Sequence, residues 1–232
     1  MEWEKIYKEK LVSHEEAASL IKSGDRIWCG SIGCAPGDLI RAICKRRDEL
    51  KDVEWHDSLT IEDFPYFKAD FKGHINVTTW YHGPMTRKNF KQGNINIIST
   101  HLSQLYLYTK KVAPTVAVCE VSEPDENGYM CWGPSGVAHM CHAAKTADRI
   151  IVQVNKHCPY TYGHNNTVHV SEVACICESH HPFIELPDAP VTDVDKQMAA
   201  HILPEIPDGA TIQLGIGGTA NAVGYGLEGK KI

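Results

Sequence analysis

The sequence predicts an α/β protein with an open, mostly parallel sheet that has helices on both faces. Short runs rich in Val and Ile recur along the chain without clean alternation of apolar and polar residues, as in strands buried on both faces. Segments of helical periodicity separate these runs. The chain has 232 residues, 43% of them hydrophobic, so it can hold one large domain or one domain and part of another.

The first elements alternate helix and strand. Ser13 and Glu16 have the spacing of a capping box, which predicts a helix that runs to Lys22 and stops at Gly24. Residues 26–30 are then expected to form the first strand.

A loop with glycines at its ends, residues 30–37, follows this strand, and Asp38 is expected to N-cap a helix that runs to Arg46. The loop is either an ordinary turn or a place where backbone approaches a ligand, and Ser31 is its candidate binding residue. Further apolar runs predict strands at 75–79, 95–99, 115–121 and 149–154, and a helix at 135–147.

Prolines interrupt residues 180–190, which we interpret as an interdomain linker. Beyond it, Thr192 is expected to cap a helix to about Leu203, residues 210–214 to form a strand, and a helix to begin near Ala220. These few elements cannot bury a core by themselves. We therefore expect an N-terminal domain at 1–186 and the truncated start of a second, similar domain at 187–232.

Charge and composition exclude several classes of function. Lys and Arg number 23 against 29 Asp and Glu, a net charge of −6, which argues against nucleic-acid or anionic-membrane partners. No apolar stretch approaches the ~18 residues of a membrane span, and the start has no secretory or lipidation signal. Nine cysteines without a framework spacing favour reduced thiols and a cytoplasmic location.

The strongest local motif is the stretch 213–221, Gln-Leu-Gly-Ile-Gly-Gly-Thr-Ala-Asn, where a predicted strand leads through glycines into a helix. Such a loop offers backbone N–H groups to a phosphate, a carboxylate or a developing oxyanion. It can also be a plain turn. It matches G-x-G-x-x-A as well, so a dinucleotide-binding oxidoreductase domain stays open; that function needs an acidic residue about 20 residues further on.

Other candidates are weaker. Arg87 follows a strand and a Gly-Pro break, where a basic side chain on a loop can meet an anionic ligand or remain solvated. Residues 124–128 are expected to form an Asx turn with a left-handed glycine. His139 and His142 share a helix face without a nearby carboxylate, which predicts a solvated or hydrogen-bonded pair.

A metal site is not expected. The candidate ligands have residue types that bind zinc, but their spacing matches no common zinc module, and the cysteines suit a strand. These residues are Cys175, Cys177, His180 and His181.

With these motifs placed, the sequence resembles the acetyl-CoA hydrolase/CoA-transferase family, and within it the branch of 4-hydroxybutyrate and butyryl-CoA:acetate CoA-transferases. The matching strings occur in order along the whole chain. They lie at 11–13, 21–25, 124–129, 154–155, 168–172, 192–196 and 213–223.

The resemblance implies two similar α/β domains with the active site between them, and a ping-pong transfer of CoA from an acyl-CoA to a small carboxylate such as acetate. A glutamate of the protein carries CoA as a thioester. CoA is then a substrate, and no permanently bound cofactor or metal is implied. The expected CoA-binding or substrate-binding residues are Gln213, Gly215, Ile216, Gly217, Gly218, Thr219 and Asn221, with Ser31 and Arg87.

The sequence also departs from the family pattern. His164 stands where the family has Asp after a glycine, and Ala220 stands where this branch commonly has Pro. The nucleophilic glutamate is expected just beyond Ile232, so Glu228 is not assigned to that role. We therefore expect 1–232 alone to be inactive and to need a missing C-terminal half or a second subunit, within a homo-oligomer. The alternatives are an acyl-CoA hydrolase of the same family and a non-catalytic acyl-CoA-binding or assembly module.

Overall fold

The chain forms two compact units in a computed structural model that describes residues 2–136, 138–185 and 187–232. The first unit spans Met1–Ile184 and the second spans Glu185–Ile232. Residue 186, where the sequence places the end of the first domain, lies outside the described residues.

The first unit is built around a parallel sheet. Its strands are β1 (Arg26–Cys29), β2 (Val53–Asp57), β3 (Ile75–Thr79), β4 (Ile95–Ile97), β5 (Val116–Val121), β6 (Tyr129–Cys131), β7 (Arg149–Val154), β8 (Thr167–His169) and β9 (Cys175–Glu178). Within the described residues, seven strands pair in the order β4-β3-β2-β1-β5-β7-β9, each pair parallel, while β6 and β8 form a separate antiparallel pair. The predicted α/β class is confirmed.

Helices flank this sheet. Those of the first unit are α1 (Glu2–Lys10), α2 (His14–Ser19), α3 (Gly37–Lys45), α4 (Pro84–Asn89), α5 (Leu105–Val112), α6 (Gly133–Gly136) and α7 (Met140–Thr146). Side chains of β5 alternate between two cores: Val116 and Val118 pack with α2 and α3, whereas Ala117 and Cys119 pack with α7. Burial on both faces explains why the strand sequences do not alternate.

The second unit contains two helices among its described residues, α8 (Asp193–Ile202) and α9 (Gly218–Gly226). Thr192 caps α8 as predicted, in a capping box with Asp195, and the predicted capping box of Ser13 and Glu16 begins α2. In both boxes the hydroxyl and the carboxylate satisfy backbone N–H groups that the helix itself cannot.

Several predicted elements differ from the structure. Helix α2 ends at Ser19 rather than at Lys22, and β4 ends at Ile97 rather than at residue 99. The helix expected at 135–147 is split into α6 and α7, and residue 137 between them lies outside the described residues. Asp38 lies in the first turn of α3 instead of capping it, because its carboxylate accepts a hydrogen bond from Ser179 and pairs with Arg41. Residues 210–214 form no strand, since no neighbouring strand pairs with them among the described residues.

Candidate functional site

The strand order reverses direction beside β1. Strands β2, β3 and β4 follow one another away from one edge of β1, whereas β5 pairs with its other edge. In open parallel sheets this arrangement leaves a crevice outside the carboxyl ends of the two strands, where ligands bind. The loop 30–37 leaves β1 at this point and contains Ser31, whose side chain is buried.

A chain of hydrogen bonds fixes the histidine next to Ser31. The Trp28 indole N–H donates to Nδ1 of His139 over 2.9 Å, and Nε2 of His139 lies 3.2 Å from Oγ of Ser31. An indole N–H can only donate, so Nδ1 must carry a lone pair, and the neutral imidazole has its proton on Nε2. His139 therefore donates to Ser31 and cannot take its proton as a general base.

Burial holds His139 in this neutral form. Desolvation is the main cause that lowers the pKa of His139 to about 4, and the nearby His142 contributes to a smaller extent. The Trp28 ring also stacks on Trp80, with centroids 4.7 Å apart. The Ser31 hydroxyl, relieved of donating to the imidazole, can offer its proton to an oxygen of a ligand.

A buried carboxylate lies one strand position from the end of β5. Glu120 is fully buried, and its oxygens accept from the amides of Gln153 at 2.7 Å and Asn155 at 2.9 Å and from Nε2 of His181 at 2.9 Å. The same Gln153 accepts from the backbone N–H of Leu39 in the first turn of α3. Desolvation raises the pKa of Glu120, while these donors stabilise the ionised form.

His181 provides the charge that balances Glu120. Its Nδ1 lies 3.0 Å from the carbonyl oxygen of Pro182 and its Nε2 faces the carboxylate, so both ring nitrogens must donate. Although burial alone would lower the pKa of His181, the Pro182 carbonyl and Glu120 together raise it. The ion pair with Glu120 holds the segment after β9 against the sheet. The ring of Phe183, in the same segment, packs on Gly33.

These contacts account for the side chains considered as zinc ligands. Cys175 and Cys177 are buried in the apolar core on β9, and His180 accepts a hydrogen bond from the backbone of Lys156. In the described part of the chain, no group of three or more His, Cys, Asp or Glu side chains is arranged to hold a metal ion. Nor does any helix there have the length and apolarity needed to cross a membrane.

The glycine loop of the second unit is open. Gly217 is the N-cap of α9 with φ of 148°, a conformation that favours glycine, and no side chain caps the helix there. A Cβ at Gly215 or Gly217 would meet no atom within 4 Å, and Ile216 is 96% exposed. The loop borders a groove of about 580 Å³ in this unit that Gln213 also lines.

Hydrogen bonds from two side chains at the start of α9 hold the glycine loop in place. Oγ1 of Thr219 donates to Asp195 over 2.6 Å, and Nδ2 of Asn221 donates to the carbonyl oxygen of Ala189 over 3.1 Å. A Cβ at Gly218 would stand 2.6 Å from an Asp195 oxygen, so glycine lets α9 approach α8. The structure thus engages Thr219 and Asn221 in holding the loop and leaves its glycine backbone exposed.

The predicted site residues therefore fall into separate groups. Residues 213–220 line one groove in the second unit, where the loop leads into α9, and Asn221 follows them on α9 outside the lining of that groove. In the first unit Ser31 is buried at the end of β1, whereas Arg87 is exposed and lies on α4 rather than on a loop. The proline after Gly83 starts that helix, since proline suits a first helical turn.

Sequence reasoning did not find Trp28, Glu120 or the charge state of His181. Glu120 carried the only available signal, an acidic residue inside an otherwise apolar strand, Val-Ala-Val-Cys-Glu-Val. The pairing of Trp28 with His139 joins residues 111 positions apart, which no local pattern reveals. The sequence predicted that His139 is either solvated or hydrogen-bonded, and the structure shows that it is hydrogen-bonded.

Comparisons with known proteins agree with this architecture. The chain is 35% identical over its whole length to the 4-hydroxybutyrate coenzyme A transferase of Clostridium kluyveri, covering 54% of that protein. It is 34% identical over 97% of its length to the butyryl-CoA:acetate CoA-transferase of Anaerostipes caccae, covering 51% of it. The crystal structure of RipA from Yersinia pestis superposes with a TM-score of 0.92 at 26% identity, over 99% of this chain and 56% of RipA.

This chain spans about half the length of the curated relatives that it matches. The family model of the acetyl-CoA hydrolase/transferase N-terminal domain matches residues 1–185, which is most of the chain and all of the first unit. The chain belongs to the acetyl-CoA hydrolase/transferase family.

Proposed function

We propose that this chain is the N-terminal half of a CoA-transferase that moves CoA from an acyl-CoA to a small carboxylate such as acetate. The donor is butyryl-, 4-hydroxybutyryl- or acetyl-CoA. The observation that carries the proposal is the open glycine loop at residues 215–218, where exposed backbone precedes α9. The relatives named as CoA-transferases match the chain across this loop as well as across the first unit.

The loop supplies the electrostatics that acyl transfer needs. Attack on a thioester places negative charge on the carbonyl oxygen, and the first N–H groups of a helix have no partner inside the helix. With no side chain at 215, 217 or 218, an acyl oxygen can approach these groups closely. Each such donor typically lowers the barrier by ~2.7–4 kcal/mol.

The covalent carrier is proposed to lie outside residues 1–232. By resemblance, a glutamate attacks the acyl-CoA to form a mixed anhydride and CoA thiolate, and the thiolate returns to form a glutamyl-CoA thioester. The second unit, with the boundary placed at 187–232, would be the start of the domain that holds this glutamate. A C-terminal half or a second subunit is then the obligatory partner.

The setting follows from the same proposal. CoA enters and leaves as substrate, without a permanently bound cofactor. The net charge of −6 and the free cysteines fit a cytoplasmic enzyme, and we expect the complete transferase to be a homo-oligomer.

The test is a steady-state assay of butyryl-CoA with acetate, in which acetyl-CoA is measured. One sample is the 232-residue chain. The other is a fusion in which Ile232 is followed by the C-terminal part of the C. kluyveri relative, the part that our chain does not match. We call this fusion the complemented enzyme. We expect transfer with ping-pong kinetics only in the complemented enzyme. Transfer by 1–232 alone would contradict the proposal.

The same assay separates the alternatives. A hydrolase would release free CoA at the same rate with and without acetate. A non-catalytic binding module would show neither activity in the complemented enzyme, although a thermal melt would report a folded protein.

A further inference from the structure

Two cysteine thiols meet beneath a glycine beside the loop 30–37. Cys34 lies in a short turn of that loop, and Cys158 lies in the turn after β7. The point where a Cβ would stand on Gly133 is 2.7 Å from Sγ of each cysteine. The two sulfur atoms are therefore neighbours on either side of this point. A side chain at position 133 would collide with both of them, and the φ of 70° also favours glycine there.

We propose that Cys34 and Cys158 are a redox-sensitive pair that a hydroperoxide converts into a disulfide, which ties the loop 30–37 to the turn after β7. This goes beyond the transferase function and does not depend on it. In the described part of the chain no third metal-binding side chain joins the pair, so a dithiol is favoured over a metal site.

The two thiols are chemically unequal. The contact with the Cys158 sulfur is the main cause that, against the cost of burial, lowers the pKa of Cys34 to about 7; Ser135 and the backbone of Gly136 contribute in the same direction. The same contact, together with burial, raises the pKa of Cys158. Cys34 is thus the attacking thiolate and Cys158 the resolving thiol.

The reaction balances with one peroxide. The Cys34 thiolate attacks one oxygen of hydrogen peroxide, an S–O bond forms as the O–O bond breaks, and the hydroxide that leaves takes the proton lost by the Cys34 thiol and becomes water. The Cys158 sulfur then attacks the Cys34 sulfur, the S–S bond forms, and the S–O bond breaks to release a second water with the Cys158 proton. Two thiols are oxidised and one peroxide is reduced to two waters.

Burial makes the pair selective for small oxidants. Cys34 is 0% and Cys158 5% exposed, whereas Cys141 is partly exposed. Hydrogen peroxide is smaller than an alkylating agent or a thiol such as glutathione, so burial should exclude it least. We therefore expect the pair to resist alkylation in the native chain and still to be oxidised by hydrogen peroxide.

The experiment is peptide mass spectrometry of the native 232-residue chain. The chain is treated with hydrogen peroxide, then denatured, alkylated and digested. We expect a peptide pair joined through Cys34 and Cys158 that dithiothreitol separates. Cys34→Ser and Cys158→Ser should each abolish this crosslink, and Cys141→Ser should leave its yield unchanged as the matched control.

Several results would overturn the proposal. These are alkylation of both Cys34 and Cys158 after peroxide, a crosslink of either residue to Cys119 instead, or a mixed disulfide of Cys34 with added glutathione. Because the wild-type chain alone gives the decisive spectrum, a variant that fails to fold does not remove the test.

Discussion

The donor at Nδ1 decides what His139 can do. In a catalytic serine–histidine pair a carboxylate holds Nδ1–H and leaves Nε2 free to accept the serine proton. Here the Trp28 indole donates to Nδ1, so the polarity is reversed and Ser31 receives a hydrogen bond. The Ser31 hydroxyl is thereby left free to donate and has no base to make it a nucleophile, which fits our proposal that a glutamate is the covalent carrier.

Acid should destabilise the chain through His139. Its pKa is about 4 in the folded state and about 6.5 when unfolded, so the unfolded state binds more protons between these values. Stability is therefore lost as the pH falls from about 7 to about 4, by ~3 kcal/mol from this group. Urea unfolding at both pH values, with His139→Gln beside wild type, measures the difference.

The variant should show a pH dependence smaller by that amount, while His164→Gln, at an exposed position of the first unit, should retain the wild-type dependence. Equal slopes for wild type and His139→Gln would show that His139 is not held neutral.

Glu120 should be needed as an anion. Glu120→Gln places an amide among donors from Gln153, Asn155 and His181, and at least one of them loses its acceptor. We expect the free energy of unfolding to fall by about 1–3 kcal/mol, measured by urea unfolding at pH 7. Glu123→Gln, at an exposed position shortly after β5, is the control with little change. An unchanged stability in Glu120→Gln would contradict the ion pair.

Elements were predictable where local patterns and tertiary packing agree. Strands β3 and β7 have the predicted limits because β-branched residues predominate in both, and both capping boxes form because their donors and acceptors are local. Strand β2 escaped prediction because Glu54, His56 and Asp57 break its apolar pattern. The Ser31 site could not be predicted beyond one residue, since its partners come from distant elements.

The packing of α9 on α8 should depend on Gly218. A Cβ there would meet an Asp195 oxygen at 2.6 Å and the Pro190 carbonyl oxygen at 2.8 Å, whereas a Cβ at Gly215 would meet nothing within 4 Å. We expect Gly218→Ala to raise amide hydrogen exchange across α9 at least several-fold, and Gly215→Ala to leave it unchanged. Equal exchange in the two variants would contradict this close approach.

At the scale of the whole molecule, the second unit exposes large apolar side chains to solvent. Leu214 is 47%, Tyr225 65% and Ile216 96% exposed. Apolar exposure of this kind is typical of surfaces that a partner covers, as the proposed C-terminal half would do here. We expect the 232-residue chain to bind an apolar fluorescent dye and the complemented enzyme to lose most of that signal. A dye-negative monomeric chain would contradict the need for a partner.

The claim that the glycine loop holds the reacting thioester is tested most directly by the turnover of one variant in the complemented enzyme. Gly217→Val places a β-branched side chain in the loop at a φ of 148°. Gly209→Val is the matched control, with φ of 79°, no atom within 4 Å and a position outside the loop. Both variants carry backbone strain of ~1–3 kcal/mol, so thermal melts should fall alike. We predict that kcat for transfer from butyryl-CoA to acetate falls at least ~100-fold in Gly217→Val and only slightly in Gly209→Val. Near-normal turnover in Gly217→Val, or equal losses in both variants, would contradict the account.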